Sequence, residues 1–136
     1  MLVSQKKQKI SHPSDIVPIL QAMLKNADET DNMKEHFWCI GLNGQNCVQY
    51  VELVTLGLVN QCQVHPREVF SFAVQKRCCA IIVGHNHPSD NTEPSLADTE
   101  VTGRLKAAGT LLGIELLDHV IITENSFYSF AEHGSL

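Results

Sequence analysis

The stretch Cys79-Ala-Ile-Ile-Val-Gly-His-Asn-His-Pro88 decides the fold. Its first five residues form an uninterrupted apolar run, which is typical of a strand buried on both faces inside a sheet. Gly84 ends this run, and His85 and His87 follow directly. Because side chains two residues apart in an extended segment point the same way, the two imidazoles are predicted to converge just past the strand.

A helix is predicted next along the chain. Ser95 has the character of an N-cap, and Asp98 three positions later gives a pattern like a capping box. The helix is expected to end near Gly109, where a glycine follows the last apolar position. The loop before it contains Pro88 and Pro94, so the start of the helix can fold back toward the histidines.

The rest of the chain alternates between helical and strand patterns. The predicted elements are a helix over residues 16–24, a loop over 26–33, a hairpin over 36–56, a helix over 66–75, a strand over 114–123 and a short strand over 127–130. This alternation predicts an α/β domain of two or three layers. The polar residues 1–10 are predicted to be a flexible lead, and residues 11–136 a single domain.

The charge of the chain disfavours a broad phosphate-binding surface. Its formal net charge is −5 over 136 residues, whereas such surfaces are rich in lysine and arginine. The one basic run, formed by Lys6, Lys7 and Lys9, is interpreted as a solvated tail.

The cysteines and apolar runs predict a cytoplasmic protein. The longest apolar runs are far shorter than the roughly 18 residues of a membrane helix, and no apolar segment follows the N-terminal lysines as in a secretory signal. The cysteines are Cys39, Cys47, Cys62, Cys78 and Cys79. Their number is odd and most have apolar neighbours, so we expect them to be reduced and buried.

Two histidines and a carboxylate make a candidate zinc site. His85, His87 and Asp98 would leave the fourth position of a tetrahedral zinc ion open for water, as catalytic sites require. Zinc lowers the pKa of such a water to about 7. Each residue also has a structural interpretation, because buried histidines are often hydrogen-bonded core residues and an acid at a helix start is favoured by the helix dipole. On the residues alone both interpretations stay open.

The segment from His85 to Asp98 resembles the metal signature of the JAMM (MPN-plus) metalloprotease superfamily. That signature is His-x-His-Pro, six residues, Ser, two residues and Asp, and every fixed position matches. The flanking segments His65-Pro-Arg-Glu-Val-Phe70 and Leu117-Asp-His-Val-Ile-Ile122 are similar to the RadC family, whose members carry the historical name of DNA repair proteins. The resemblance extends from about residue 12 to the C-terminus.

The resemblance implies the JAMM/MPN (cytidine deaminase-like) architecture, which is a mixed sheet flanked by helices. It implies that His85, His87 and Asp98 bind Zn²⁺ and that Ser95 helps to stabilise an oxyanion beside the metal. Ser95 would also cap the helix.

Two departures from the family stand out. Asp90 replaces a usual glycine, so a turn with positive φ would be strained at this position. The helix-hairpin-helix segment of full-length RadC proteins is expected to be missing.

A JAMM hydrolase also needs a glutamate that takes a proton from water and passes it to the leaving amine. In the family this acid begins a strand that follows the first helix, and Glu35 occupies that place. Glu68, in the first turn of the helix before the metal strand, is the rival candidate. Glu52, in the middle of a strand, and Glu93, in the metal loop, are less favoured.

The other histidines are assigned mainly to structural roles. His119 follows Asp118 in a predicted buried strand and is favoured as a core histidine, with orientation of a metal ligand as the alternative. Trp38 is expected in the core. Surface or cap positions are expected for His12, His36, His65 and His133.

The resemblance implies a zinc-dependent peptidase or isopeptidase acting on a peptide or protein substrate. The alternative is a non-hydrolytic module that binds DNA or a protein of the repair or replication machinery, although the acidic charge disfavours direct DNA binding.

A metal-dependent nuclease is disfavoured because the residues of HNH nucleases are not consecutive. A cytidine deaminase is disfavoured because no Pro-Cys-x-x-Cys follows. An exposed edge strand could support a homodimer.

Overall fold

The computed structural model describes residues 8–59 and 63–136 in full and the backbone of residues 2–3. The strands are β1 (Leu2–Val3), β2 (Glu35–Leu42), β3 (Val48–Gly57), β4 (Ala80–Asn86), β5 (Glu115–Ile122) and β6 (Phe127–Ser129). The helices are a 3-10 turn (Pro13–Ile16), α1 (Val17–Lys25), α2 (Glu29–Asn32), α3 (Pro66–Val69), α4 (Ser71–Gln75) and α5 (Leu96–Leu112). Among these described helices none is long and apolar enough to cross a membrane.

The strands form one mixed sheet in the order β1-β3-β2-β4-β5-β6. All neighbours are antiparallel except β4 and β5, which are parallel and are connected through α5. A parallel pair needs such a crossover because the chain must return to the same end of the sheet. The predicted α/β class, with a mixed sheet flanked by helices, is confirmed.

A core lies on each face of the sheet, and β4 contributes to both. Ile81 and Val83 pack with residues of α3, α4 and α5 on one face, whereas Ile82 packs with residues of α1 on the other. All seven residues of β4 are buried. The apolar run therefore forms a central strand, as predicted.

The strand continues further than the sequence pattern indicates. We predicted that both histidines follow the strand, but β4 extends through Asn86 and contains His85. The reason is its parallel partner, because the pairs His85↔Ile121 and Asn86↔Ile122 continue the ladder with β5. Only His87 lies just past the strand.

The helix α5 begins as predicted and ends later than predicted. Ser95 is its N-cap in a complete capping box with Asp98. The helix passes Gly109 and stops before Gly113, which has the left-handed φ of 73° that favours glycine at a C-cap. Gly109 is internal because the chain packs closely there: a Cβ at this position would lie 2.4 Å from the backbone oxygen of Ile114.

Part of the predicted flexible lead belongs to the sheet. The backbone of Leu2–Val3 pairs with β3, Lys9 forms a bridge with Cys47, and Ile10 is only 4% exposed. The boundary predicted between residues 10 and 11 therefore cuts into the domain. Lys6, Lys7 and Cys62 lie outside the described residues, and the four described cysteines are free thiols.

Candidate metal centre

The structure brings His85, His87 and Asp98 together at one end of the sheet. His85 is at the end of β4, His87 follows it, and Asp98 lies in the first turn of α5. One potential ligand atom of each residue lies within 4.8 Å of the others. The convergence predicted from the sequence is thus present among the described residues.

The distances suit a small tetrahedral cation. Asp98 Oδ1 lies 3.2 Å from His85 Nε2, and Asp98 Oδ2 lies 3.0 Å from His87 Nε2. Two ligand atoms of a tetrahedral zinc ion are about 3.3 Å apart, and each histidine nitrogen lies near that spacing from a different oxygen of Asp98. The side chains of His85 and Asp98 are 0% and 2% exposed, whereas that of His87 is 16% exposed, so the site opens on the His87 side.

A chain of hydrogen bonds sets the tautomer of His85. The Thr102 hydroxyl donates to the Asp98 carbonyl at 2.8 Å, so it accepts from His119 Nδ1, which lies 2.5 Å away. Burial lowers the pKa of His119, and His85 beside it lowers it further. Neutral His119 therefore accepts at Nε2 from His85 Nδ1, 2.7 Å away. In its neutral form His85 presents an unprotonated Nε2 to Asp98.

That nitrogen is the observation that tests whether the residues fit a metal ion. His85 Nε2 is buried and has no hydrogen-bond partner among the described residues, even though it lies close to Asp98. An unprotonated nitrogen and a carboxylate oxygen facing each other are two acceptors without a donor between them. Because a buried polar atom without a partner destabilises the fold by about 1–3 kcal/mol, the arrangement fits a bound cation.

Among the three candidate ligands, His87 is the one that must release a proton when a metal ion binds. Its Nδ1 lies 2.8 Å from the Asn91 carbonyl, which can only accept, so Nδ1 is protonated. The hydrogen bond with Asp98 raises the pKa of His87, against the effect of burial. Burial alone would raise the pKa of Asp98, but the hydrogen bonds from His87 and from the Ser95 backbone hold it well below its usual range. The metal-free site is therefore an Asp98 carboxylate paired with a protonated His87.

Ser95 fixes the carboxylate through the capping box. Its backbone N–H donates to Asp98 Oδ2 at 2.9 Å, and its hydroxyl accepts from the Asp98 backbone N–H at 3.1 Å. The predicted capping role is present, and the hydroxyl proton is not used in it. The oxyanion role of Ser95 stays a prediction.

Glu35 begins β2, next to the strand that carries His85. Burial raises the pKa of Glu35, and the negative charge of Asp98 adds to this shift while the protonated His87 opposes it. A backbone hydrogen bond from Val59 also contacts the carboxylate. The Glu35 carboxylate is therefore near enough to the three candidate ligands for their charges to affect its pKa, and its role as the acid stays a prediction.

The other glutamates lie elsewhere. The side chain of Glu68 is 63% exposed and lies 3.8 Å from Arg67, as the interpretation of a surface ion pair requires. Glu93 is exposed in the metal loop and Glu52 is in the middle of β3. Of the four, Glu35 is the one whose carboxylate interacts with the three ligands.

One interpretation of a histidine is extended and another needs correction. His119 is 0% exposed and its ring packs between Phe37 and Phe130, as expected of a core histidine. It also contacts His85 directly, as the alternative interpretation requires. His36, expected at the surface, is 4% exposed and stacks on Trp38. The residue type alone does not show whether a histidine is buried or exposed. The surroundings of His119 and His36 depend on the pairing of strands that are distant in the sequence.

Asp90 does not strain the metal loop. Asn46 and Arg77 are the non-glycine residues with positive φ in the described part of the chain, so the conformation that favours glycine is not present at Asp90. Its side chain is exposed.

Sequence reasoning missed two residues around the centre, Thr102 and Asn86, and a buried carboxylate next to His119 in β5, Asp118. Thr102 completes the chain from His119 to Asp98, and Asn86 contacts the backbone beside Glu35. Asp118 is buried and accepts hydrogen bonds from the Ser129 hydroxyl and from two backbone N–H groups. Burial raises the pKa of Asp118, and these hydrogen bonds oppose the shift. The available signal was the placement of polar residues in apolar elements, as for Asp118 in β5.

Comparison with known proteins agrees with this geometry. The family model described as "RadC-like JAB domain" matches residues 10–135. The chain belongs to the RadC-like JAB domain family. The matched residues include β4, the loop after it and α5, which carry His85, His87 and Asp98.

Curated relatives of this RadC-like JAB domain are similar over most of its length. A UPF0758 protein of Staphylococcus epidermidis is 42% identical over 128 residues, which are 94% of this chain and 54% of the relative. UPF0758 proteins of Chlorobium phaeovibrioides and Staphylococcus aureus are each 44% identical, over 95% and 93% of this chain. The chain spans about half the length of these relatives.

Proposed function

We propose that this RadC-like JAB domain is a zinc-dependent hydrolase of peptide or isopeptide bonds. The observation that carries the proposal is the buried pair of acceptors, His85 Nε2 and Asp98 Oδ1, which lie 3.2 Å apart without a hydrogen bond. Zinc bound by these residues and His87 supplies Lewis-acid chemistry, since it lowers the pKa of water to about 7 and polarises a carbonyl group.

Glu35 is the residue suited to move the proton. Its raised pKa brings the carboxylate closer to the working pH, where a group both accepts and returns a proton efficiently. It would take a proton from the attacking water and deliver it to the nitrogen of the leaving amine. The C–N bond then breaks, and the products are a carboxylic acid and an amine.

A cleft beside His87 has room for a substrate. It has a volume of about 590 Å³ and lies between α1 and the metal loop, with Gln21, Lys25 and Thr123 among its lining residues. This volume is within the range of small-ligand sites. The cleft would hold the few residues of an extended chain on one side of the scissile bond.

The experiment compares Glu35→Gln with the wild type in hydrolysis of a library of quenched fluorogenic peptides and lysine-linked isopeptides. We expect the variant to lose about 10²- to 10⁴-fold in kcat, the usual contribution of a general acid–base group. Zinc content, measured by mass spectrometry of the purified protein, is expected to stay at the wild-type stoichiometry because Glu35 is not a ligand.

Glu68→Gln is the matched control, since it removes an exposed glutamate that contacts Arg67. It should leave both activity and zinc unchanged. Full activity of Glu35→Gln together with loss of activity in Glu68→Gln would contradict the assignment. Zinc retained at wild-type stoichiometry in His87→Ala would contradict the proposed metal centre itself.

A further inference from the structure

We propose that Asn86 is a positioning residue that clamps the backbone on both sides of Glu35 and thereby fixes the carboxylate relative to His85 and His87. The inference rests on the proposed function, because it assigns a partner to the acid of that reaction. It concerns the residue between the two histidines, which takes no part in binding the metal.

The side chain of Asn86 contacts the two peptide groups that flank Glu35. The His36 backbone N–H donates to Asn86 Oδ1 at 2.6 Å, and Asn86 Nδ2 donates to the Lys34 carbonyl at 3.1 Å. Asn86 is 0% exposed, so water does not compete for either bond. Both peptide planes next to the acid are therefore held by one side chain.

The clamp is needed because the sheet separates at this point. The ladder between β2 and β4 ends at the pair Phe37↔His85. Beyond it the backbone of β4 follows β5, and the His87 N–H donates to the Ile122 carbonyl at 3.0 Å. The Asn86 side chain therefore supplies hydrogen bonds to β2 that the main chain of β4 no longer makes.

Asparagine suits this position better than other side chains. The contact needs one acceptor for an N–H and one donor for a carbonyl, and the amide group offers both in one plane. Aspartate would keep the acceptor but would place a charged oxygen against the Lys34 carbonyl. Alanine would leave the buried His36 N–H without a partner, which is costly in a dry environment. It would also remove one of the two contacts of the Lys34 carbonyl, whose other contact is His36 Nδ1 at 3.0 Å.

The position of Asn86 couples the acid to the ligands. Side chains alternate between the faces of an extended segment, so His85 and His87 point toward the metal centre while Asn86 points to the other side and contacts the start of β2. The segment His85-Asn86-His87 thus carries two candidate metal ligands and also holds the backbone on both sides of Glu35. A displacement of about 1 Å in a catalytic group is enough to lower a rate about 100-fold.

The test uses Asn86→Ala and Asn86→Asp in the full chain, each loaded with zinc. Asn43→Ala is the matched control, because Asn43 accepts hydrogen bonds from the Gln45 and Cys47 backbone N–H groups just past the opposite end of β2. Amide hydrogen exchange followed by NMR reports the clamp independently of any substrate. We expect the His36 amide to exchange at least about tenfold faster in Asn86→Ala and to stay unchanged in Asn43→Ala.

The kinetic readout separates positioning from general stability. We expect kcat of Asn86→Ala to fall about 10- to 100-fold with little change in KM and with zinc stoichiometry retained. Asn86→Asp should lie between wild type and Asn86→Ala. In the Glu35→Gln background, Asn86→Ala should have almost no further effect, because a residue that acts through Glu35 is not additive with its removal.

Three results would overturn the inference. These are an unchanged exchange rate at His36 in both Asn86 variants, additive effects of Asn86→Ala and Glu35→Gln on kcat, and an equal loss of kcat in Asn43→Ala. If Asn86→Ala does not fold, Asn86→Asp and its exchange rates decide the question. Absence of hydrolysis in the zinc-loaded wild type would contradict the proposed function, whereas the exchange data would still show whether Asn86 holds β2.

Discussion

At the scale of single residues, the proton on His87 predicts how metal binding depends on pH. The hydrogen bond with Asp98 raises the pKa of His87, so a metal ion must displace a proton below that raised pKa. Zinc affinity should fall about tenfold for each pH unit below it and become independent of pH above it. Isothermal titration calorimetry in buffers of different ionisation enthalpy would measure the released proton. An affinity that stays constant from pH 5 to 8 would contradict this prediction.

Thr102 offers a second prediction at this scale, because it supports a ligand without touching the metal. Its hydroxyl joins His119 to the Asp98 carbonyl, and the nearly isosteric Thr102→Val removes both contacts. Loss of such outer contacts lowers metal affinity about 10- to 100-fold. Competition with a chelator of known affinity would measure it. Thr99→Val, at an exposed position of the same helix, is the control and should bind zinc as the wild type does.

At the scale of elements, α5 positions Asp98 through its packing on the sheet. Two of its glycines have opposite environments: a Cβ on Gly109 would meet the Ile114 backbone oxygen at 2.4 Å, whereas a Cβ on Gly103 would meet nothing within 4 Å. The first glycine allows close approach between the helix and the chain leading into β5. The second is an exposed helix position, where glycine only adds conformational entropy to the unfolded chain.

Substitution of these two glycines by alanine should therefore change the free energy of unfolding in opposite directions. Gly109→Ala should lower the free energy of unfolding by about 1–3 kcal/mol through overpacking. Gly103→Ala should raise it by about 0.5–1 kcal/mol. Urea denaturation followed by circular dichroism would measure both. Equal effects of the two substitutions would show that the close contact at Gly109 does not limit the packing of α5.

At the scale of the whole molecule, the core on the α5 face predicts sensitivity to alkali. Burial raises the pKa of the Cys39 thiol to about 12, and burial also raises that of Tyr50, 3.6 Å from it. The folded protein thus holds the thiol proton more tightly than the unfolded chain, whose thiols have a pKa of about 8.5. Stability from Cys39 is complete below pH 8.5 and is lost as the pH rises toward 12.

At pH 10 the loss in free energy of unfolding attributable to Cys39 is about 2 kcal/mol. This follows from about 1.36 kcal/mol for each pH unit above the pKa of the unfolded chain. Denaturation curves between pH 8 and 10.5 would measure it. In Cys39→Ala the decline should be shallower, with the remainder due to Tyr50. Cys79→Ala, which removes an exposed thiol, should follow the wild type. A decline of equal slope in Cys39→Ala would exclude the thiol as its source.

Signals of short range were sufficient for much of the fold. The apolar run predicted β4 as a central strand, the strand pattern of residues 36–56 predicted the hairpin of β2 and β3, and the pattern of Ser95 and Asp98 predicted the start of α5. Each prediction depends on residues within a few positions of one another. The same locality made the ligand group predictable, because its three members belong to one strand–loop–helix unit.

What only the tertiary structure decided is the set of contacts that joins this unit to the rest of the sheet. The positions of Glu35 and His119 beside the ligands follow from the pairing of β4 with β2 and β5. The contact of Asn86 with β2 follows from the end of that pairing. The residues that make contact there are separated by 34 to 52 positions along the chain. Their contact therefore depends on the register between the strands. For strands that no tight turn connects, register depends on which faces pack into the core, and a pattern of a few residues does not determine it.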